Sequence, residues 1–448
     1  MRYPNRVRLG DKSIVKIKNK CEQVKSYDII IIGAGPAGLM AGIAARGVGA
    51  KSVVVLERNE KAGKKLYITG KGRCNVTNDC TEPEFLQNVV SNPKFLYKAI
   101  YAFPPPAATA FFKANGLELK TERGRRVFPA SDKSSDVTAA LLKALKASGA
   151  ELLLNKYVSK IQMAYDNWQG TNIFEIQTGN ETFRTKKLII ACGGLSYPAT
   201  GSTGDGYKFA RELGHTIISP RPALAPVLTR EGFAKRLQGL SLRNAGFRVL
   251  NAAGKTLYSG FGELLFTDKG VSGPVVLSAS SLVNMADFKN ETLQISIDLK
   301  PALTYEQLDA RILRDFSEGT NRQFKNSLDG LLPKSLIPVI IELSRISEIK
   351  ALNQITKEER GRIAALLKDF RLTINGLGAI DEGIVTAGGV DVKEVDPSTM
   401  ESRIVPSLYF AGETLDVDAL TGGYNIHIAL ATGRLAGLSS GKPARINT

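Results

Sequence analysis

Two glycine-rich turns, one near each end of the chain, are the residues whose types and spacing point most directly to chemistry. The first, Gly33-Ala34-Gly35-Pro36-Ala37-Gly38, reads G-x-G-x-x-G. In that spacing the first glycine permits a tight turn, the second lets the backbone approach a pyrophosphate, and the third lets a helix pack closely on a strand. A helix opening at Pro36 would present free amides and the positive end of its dipole to phosphates. Glu57 ends the next apolar run, where its carboxylate can accept from ribose hydroxyls and would repel a 2′-phosphate, which disfavours NADP at this turn. Ala34, Pro36, Ala37 and Arg58 belong to the same predicted cofactor face. The second turn pairs Gly412-Glu413 with Gly422-Gly423-Tyr424-Asn425. An acid after a strand can bond a ribityl hydroxyl. The paired glycines bring a second helix N-terminus toward a ligand, where amides could hold a flavin's pyrimidine edge and stabilise charge on the reduced ring. A nicotinamide dinucleotide has no ribityl chain to require this element, and no second G-x-G-x-x-G follows a strand. FAD is the predicted cofactor.

The elements that must position these turns are visible as apolar runs. Tyr27 to Ile32 and Lys51 to Leu56 have the near-continuous apolar character of strands buried on both faces of a parallel sheet, with a small-residue helix from Pro36 to about Val48 between them. Lys187 to Cys192 and Ser407 to Ala411 read as two more strands of that sheet, each running into glycines. Strands of one sheet so far apart in sequence imply an insertion. Residues 216–300 hold short β-rich pieces such as Phe247 to Leu250, Glu263 to Thr267 and Thr292 to Asp298, which predict a small antiparallel sheet or barrel. Residues 301–370 shift to helical spacing in Tyr305 to Phe316, Ser335 to Ile346 and Lys357 to Phe370. The predicted organisation is a basic N-terminal arm (1–25), the first part of an α/β, Rossmann-like FAD-binding domain (26–215), the β-rich insert (216–300), a small helical insert (301–370), and a return strand with the rest of the FAD domain (371–448).

Three further stretches carry a resemblance. They are Thr69-Gly70-Lys71-Gly72-Arg73-Cys74-Asn75-Val76-Thr77-Asn78, Gly193-Gly194-Leu195-Ser196-Tyr197-Pro198 through Gly201-Ser202-Thr203-Gly204-Asp205-Gly206, and the block from Gly388-Gly389-Val390 to Asn425. Together with the first turn they resemble the bacterial NAD(P)/FAD-dependent oxidoreductases that include aminoacetone-oxidase-like flavoproteins and 3-dehydro-bile-acid Δ4,6-reductases. The likeness spans residues 26–440 or thereabouts. It implies a glutathione-reductase-type FAD domain, an inserted β-barrel-like domain, a small helical insert and FAD, with no unique substrate. The chain departs from the family in its basic arm and at His427, where Gln or another non-titrating residue is expected.

Between Gly63 and Asn78 the cations Lys64, Lys65, Lys71 and Arg73 stand among glycines. Given the resemblance, Gly72, Arg73, Cys74 and Asn75 are expected to contact FAD. Lys64 and Lys65 either reach its pyrophosphate or form a solvated basic loop. Gly193 and Gly194 are expected to pass close to the adenine side of the cofactor or to turn toward the insert. Cys74 and Cys80 are spaced more widely than the redox-active pair of a flavoenzyme, so dithiol chemistry is not expected. Cys192 reads as a small core residue. The two histidines, His215 and His427, sit in no hydrolase or zinc pattern. His215 reads as a helix-end cap, and His427, in the first turn of the last helix, is a candidate catalytic acid. Tyr197 and Tyr424 lie beside cofactor segments, where each could orient substrate or simply pack. Glu413, Asp416 and Asp418 have mixed spacing that suits cofactor or capping roles, and no metal is expected.

Composition sets outer limits. With 448 residues, 43% hydrophobic and 23% charged, the chain is neither disordered nor a coiled coil overall. A net charge of +17 favours anionic ligands. Eight Lys or Arg fall within residues 1–25, but Tyr3 is the single aromatic among them and no RNA-binding motif appears, so nucleic acid is disfavoured as a partner. Four Cys make no disulfide framework, and a reducing, cytoplasmic setting is expected. The stretch from Ile29 to Ala45 is broken by Gly33, Gly35, Pro36 and Gly38, and residues 1–25 have no apolar core, so neither a membrane span nor a secretory leader is expected. The expected function is an FAD-dependent oxidoreductase moving a hydride through flavin N5 between a donor, NAD(P)H foremost, and a small organic substrate in the cleft beside the insert. Reduction of an activated C=C bond is preferred. The alternatives are a flavin amine oxidase using oxygen and a flavin-dependent tRNA-modifying or nucleic-acid-binding protein.

Overall fold

Strand β1 (Val24–Ile32) carries four isoleucines whose β-branched side chains are enclosed on both faces, and it runs straight into the first glycine turn. The computed structural model describes residues 24–166 and 171–442, so the predicted basic arm lies outside the described residues except for its last two. Helix α1 (Pro36–Gly47) opens with Pro at its first position, and β2 (Val53–Leu56) returns parallel to β1, pairing Ile29 with Val53 through Ile32 with Leu56. A side sheet follows, in which β3 (Thr77–Asn78) and β4 (Leu119–Glu122) flank β5 (Arg126–Pro129). Strand β6 (Glu151–Leu153) adds to β2, and β7 (Lys160–Asp166), β8 (Thr171–Thr178) and β9 (Glu181–Ile190) form a meander whose last strand lies parallel to β1.

The chain then leaves through β10 (Ile217–Ala223). Strands β11 (Val227–Thr229), β12 (Ser241–Leu250), β13 (Thr256–Phe266), β14 (Gly270–Ser272), β15 (Gln294–Asp298) and β16 (Phe370–Leu377) close into a barrel in the order β11-β14-β13-β12-β15-β16. Three helices, Tyr305–Glu318, Ile337–Ser344 and Lys357–Lys368, interpose between β15 and β16, the first and third opening with capping boxes at Thr304 and Thr356. Leu308, Ile312, Ile340 and Ile363 share one core with Phe247, Ile297 and Phe370 of the barrel. The helical piece and the barrel are therefore packed as one body. The boundary expected at residue 371 falls inside β16, and the return begins instead at β17 (Val385–Val390), antiparallel to β10. Finally β18 (Leu408–Phe410) joins the first sheet beside β9, pairing Leu408 with Leu188 through Phe410 with Ile190.

The C-terminal helix, Tyr424–Gly441, locks the two chain ends together. Its Gly433, Gly437 and Gly441 lie directly on α1, where an added methyl would stand 2.1, 2.2 and 2.6 Å from the carbonyl oxygens of Ala37, Ala41 and Ala45. Small residues four apart on both helices allow backbone-to-backbone contact that larger side chains would forbid. No described helix is long and apolar enough to cross a membrane.

Candidate functional site

A cavity of about 360 Å³ runs from the first glycine turn to the start of the C-terminal helix. Gly33 adopts φ +102°, and a Cβ there would meet the Ala191 carbonyl oxygen at 2.5 Å, while one on Gly38 would meet the Gly33 oxygen at 1.8 Å. These contacts give the outer glycines their turn and packing roles. Gly35 has open space around it and lines the cavity. Pro36 and Ala37 line it as well, whereas Ala34 is enclosed and uses its amide on Glu57 Oε2 at 2.8 Å. Glu57 is buried at the end of β2 and its Oε1 accepts from the Asn59 amide and Nδ2 at 2.9 and 2.7 Å. Three donors on about four lone-pair sites leave capacity for one more hydroxyl. Arg58 lines the same end, held by Asp205 at 2.8 Å.

At the other end Gly412, Glu413, Gly422, Gly423 and Asn425 all reach the wall, and Gly193 lies along it. Glu413, however, faces protein. Its Oε2 accepts from Lys65 Nζ at 2.8 Å, and its Oε1 accepts from the Thr386 amide at 2.8 Å and Ser196 Oγ at 3.0 Å. Lys65 also donates to Ser196 Oγ at 2.6 Å. Lys65 and Glu413, both on the cavity wall, are thus paired with each other, as opposite charges in a half-buried wall favour. Lys64 pairs with Glu60 at 3.3 Å. Gly194 lies off the cavity, with Thr386 and Glu413 filling the space where its Cβ would stand.

Other expected contacts are also moved. Gly72, Arg73 and Cys74 do not line the cavity. The Arg73 guanidinium is drawn away by Glu122 and Asp132 and lies 4.2 Å from the centre of the Phe128 ring. Cys74 is fully enclosed, and burial pushes its thiol up to about 12. None of the three catalytic candidates reaches the cavity either. Tyr424 packs edge-on against Phe85 at 5.0 Å. Tyr197 ends the Gly193–Tyr197 loop in a left-handed conformation, φ 53°. His427 has no exposure, its Nδ1 lies 2.9 Å from Thr77 Oγ1 and its Nε2 2.8 Å from the Phe103 carbonyl oxygen, and burial lowers its pKa to about 4. A catalytic acid needs contact with the reacting atoms, which these placements deny. The His215 side chain is likewise sealed, between Glu394 and Ser402 at 3.1 and 2.8 Å, while its backbone amide donates to the Ala210 carbonyl at 2.9 Å and that of Gly214 to the Arg211 carbonyl at 3.0 Å, the two bonds that cap the helix Asp205–Glu212.

Asn75 differs from its neighbours Gly72, Arg73 and Cys74. It lines the cavity, and its buried Oδ1 has no partner among the described residues. That free acceptor stands beside the Gly423 turn, where a methyl would lie 2.8 Å from it. A buried acceptor, an open Gly35 and the first amides of two helices fit a dinucleotide whose far end carries hydrogen-bond donors. Asn425 supports the turn by clasping the Ala419 amide and carbonyl at 2.9 and 2.7 Å. Arg126 and Phe128 line the cavity, and Ser196 and Thr386 hold Glu413 in its wall, though the sequence alone assigns no role to any of the four. Ser196 and Thr386 act through long-range bonds that no local pattern marks, and Arg126 sits in the turn Glu122-Arg123-Gly124-Arg125-Arg126, whose cations look solvated in isolation. Among the described residues no three His, Cys, Asp or Glu side chains gather as a metal site.

A mixed sheet with a parallel centre, a G-x-G-x-x-G turn opening α1, an acid closing β2 and a long cavity reaching a second glycine turn define the class, a Rossmann-type flavoprotein oxidoreductase. More narrowly, the chain belongs to the family described as HI0933-like protein Rossmann domain, whose model matches residues 27–439. It is 31% identical over 409 residues to the 3-dehydro-bile acid delta(4,6)-reductase of Clostridium scindens, spanning 91% of this chain and 97% of that protein. It is 32% identical over 414 residues to the ribosomal RNA dihydrouridine synthase of Haemophilus influenzae, spanning 92% and 97%. Among solved structures, 3-ketosteroid delta1-dehydrogenase from Sterolibacterium denitrificans superposes with a TM-score of 0.50 at 12% identity, over 93% of this chain and 99% of that one, a likeness of fold.

Proposed function

We propose that this chain binds FAD and reduces a C=C bond conjugated to a carbonyl, with NAD(P)H as electron donor. The observation that carries this is the pair of relatives: their names refer to unlike substrates, a bile acid and a ribosomal RNA, yet both describe saturation of a conjugated double bond. When bound, FAD would supply a hydride acceptor and donor at N5. The chain's own residues would do the rest. Gly33, Gly35 and the α1 amides hold the pyrophosphate, and Glu57 takes a ribose hydroxyl. Asn75 and the Gly422–Gly423 turn take the pyrimidine edge, while Leu224, Leu277 and Ile384, from the insert side, line the cavity with apolar surface that excludes water. The free thiols suit a reducing cytoplasm.

Anaerobic addition of NADH or NADPH to the yellow protein is expected to bleach it. Bleaching by a small amine alone, with peroxide formed on reoxidation, would replace this assignment with an amine oxidase. A second assignment, uridine in RNA as the reduced group, is favoured by the ribosomal RNA relative and the +17 charge. Reoxidation of the bleached protein by ribosomal RNA but not by a steroid dienone would select it.

A further inference from the structure

Among the described residues five cations line the cavity, and four of them face an acid. Arg58 pairs with Asp205 at 2.8 Å, Lys64 with Glu60 at 3.3 Å, Lys65 with Glu413 at 2.8 Å, and Lys156 with Glu181. Arg126 is the fifth, and no described carboxylate lies within ion-pair distance of it. Its Nε donates to the Arg123 carbonyl at 3.1 Å and the guanidinium stands 5.7 Å from the centre of the Phe128 ring. The terminal amino groups have no protein acceptor among the described residues.

The hairpin carrying Arg126 is tied to the second glycine turn. Asn78, opposite Arg126 in the β3–β5 register, donates from Nδ2 to the Gly124 carbonyl at 3.1 Å and to the Gly422 carbonyl at 3.2 Å. Arg126 therefore belongs to the Asn75–Gly423 end of the cavity, away from Glu57 and the first turn. A paired cation presents little net field, whereas Arg126, half-buried and unpaired, presents its charge and a fork of donors to whatever enters.

We infer that Arg126 is a catalytic residue: it holds the carbonyl oxygen conjugated to the reacting double bond and so selects α,β-unsaturated carbonyl compounds. This rests on the reductase assignment above. Hydride delivery forms a C–H bond at the β-carbon and breaks the C=C π bond, whose electron pair shifts to leave an enolate with its charge on oxygen. The guanidinium neutralises that charge through charge-assisted hydrogen bonds, and a proton from water then completes the α-carbon. The two electrons come from NAD(P)H.

Holoenzymes of wild type, Arg126→Gln and Arg126→Lys, matched for FAD content, provide the test. The first probe is 4-chlorophenol, whose phenolate oxygen imitates the enolate oxygen and whose ring gives a long-wavelength charge-transfer band on stacking with oxidised flavin. Wild type is expected to bind it with that band, R126Q to bind it at least about tenfold more weakly, and R126K to recover part of the loss. The second probe is cyclohex-2-enone, which should reoxidise bleached R126Q on the order of 10²–10³-fold more slowly than wild type, with both proteins first bleached to completion by NAD(P)H. If R126Q retains no FAD, the R126K comparison decides. Identical phenol behaviour of wild type and variant, bound or unbound, overturns the inference. If phenol separates the variants while no enone reoxidises wild type, Arg126 stands as an oxyanion anchor and the reductase assignment falls.

Discussion

His427 stands in the first turn of the C-terminal helix, yet both of its ring nitrogens are committed to protein. Its depressed pKa of about 4 means that the fold favours the neutral ring, so stability contributed there is lost as pH falls from about 6.5 toward 4. Replacing His427 with Gln should lower stability by about 1–3 kcal/mol through the Thr77 and Phe103 bonds. It should leave kcat and its pH profile unchanged, as paired melts and steady-state assays would record. Asp418 shows the opposite sign. It has no exposure and neither carboxylate oxygen has a partner among the described residues, although Asp416, Glu413, Arg221 and Ser91 surround it. Burial raises its pKa from 3.8 to about 6, so between those values the folded state keeps a proton that the unfolded chain releases. Stability therefore falls as pH rises through that window, leaving a cost on the order of 3 kcal/mol at pH 7. Asp418→Asn should recover a gain of that order at pH 7, fading to nothing below about pH 4, as urea unfolding at the two pH values would read.

At the scale of elements, the decisive contact is α1 against the C-terminal helix. Gly437→Ala would place a methyl 2.2 Å from the Ala41 oxygen, so the helices must separate. Destabilisation of about 1–3 kcal/mol or more and weaker FAD retention are expected, because the two helix N-termini flank one cavity. Gly47→Ala on α1, with open space around it, is the control and should be neutral or mildly stabilising by melting temperature. The β1–α1–β2 unit and the return strand beside β9 were legible because buried parallel strands and G-x-G-x-x-G are local signals. Strand β16 was hidden because the apolar spacing of the helix before it runs on into Phe370, where the helix has already ended at Lys368. Lys65 and Glu413 were each assigned to the site singly. Their pairing across most of the chain has no local mark, and neither has that of Arg73 with Glu122 and Asp132, which turns its guanidinium away from the cavity.

For the whole molecule, the two chain ends build the dinucleotide domain and the segment between them builds a barrel with its own core, so the cavity is walled from both. That arrangement suits a cofactor held by fixed turns while the inserted body shapes what may approach it. FAD bound at 100 times its Kd should raise stability by about 2.7 kcal/mol, seen as a melting temperature that climbs with added FAD. The most direct measurement is anaerobic reoxidation of the NAD(P)H-bleached holoenzyme by a conjugated enone, with mass analysis of the product. The yellow colour should return as one equivalent of acceptor gains two hydrogens. Protein that takes up no FAD, or bleached protein that only oxygen can reoxidise, would contradict the account.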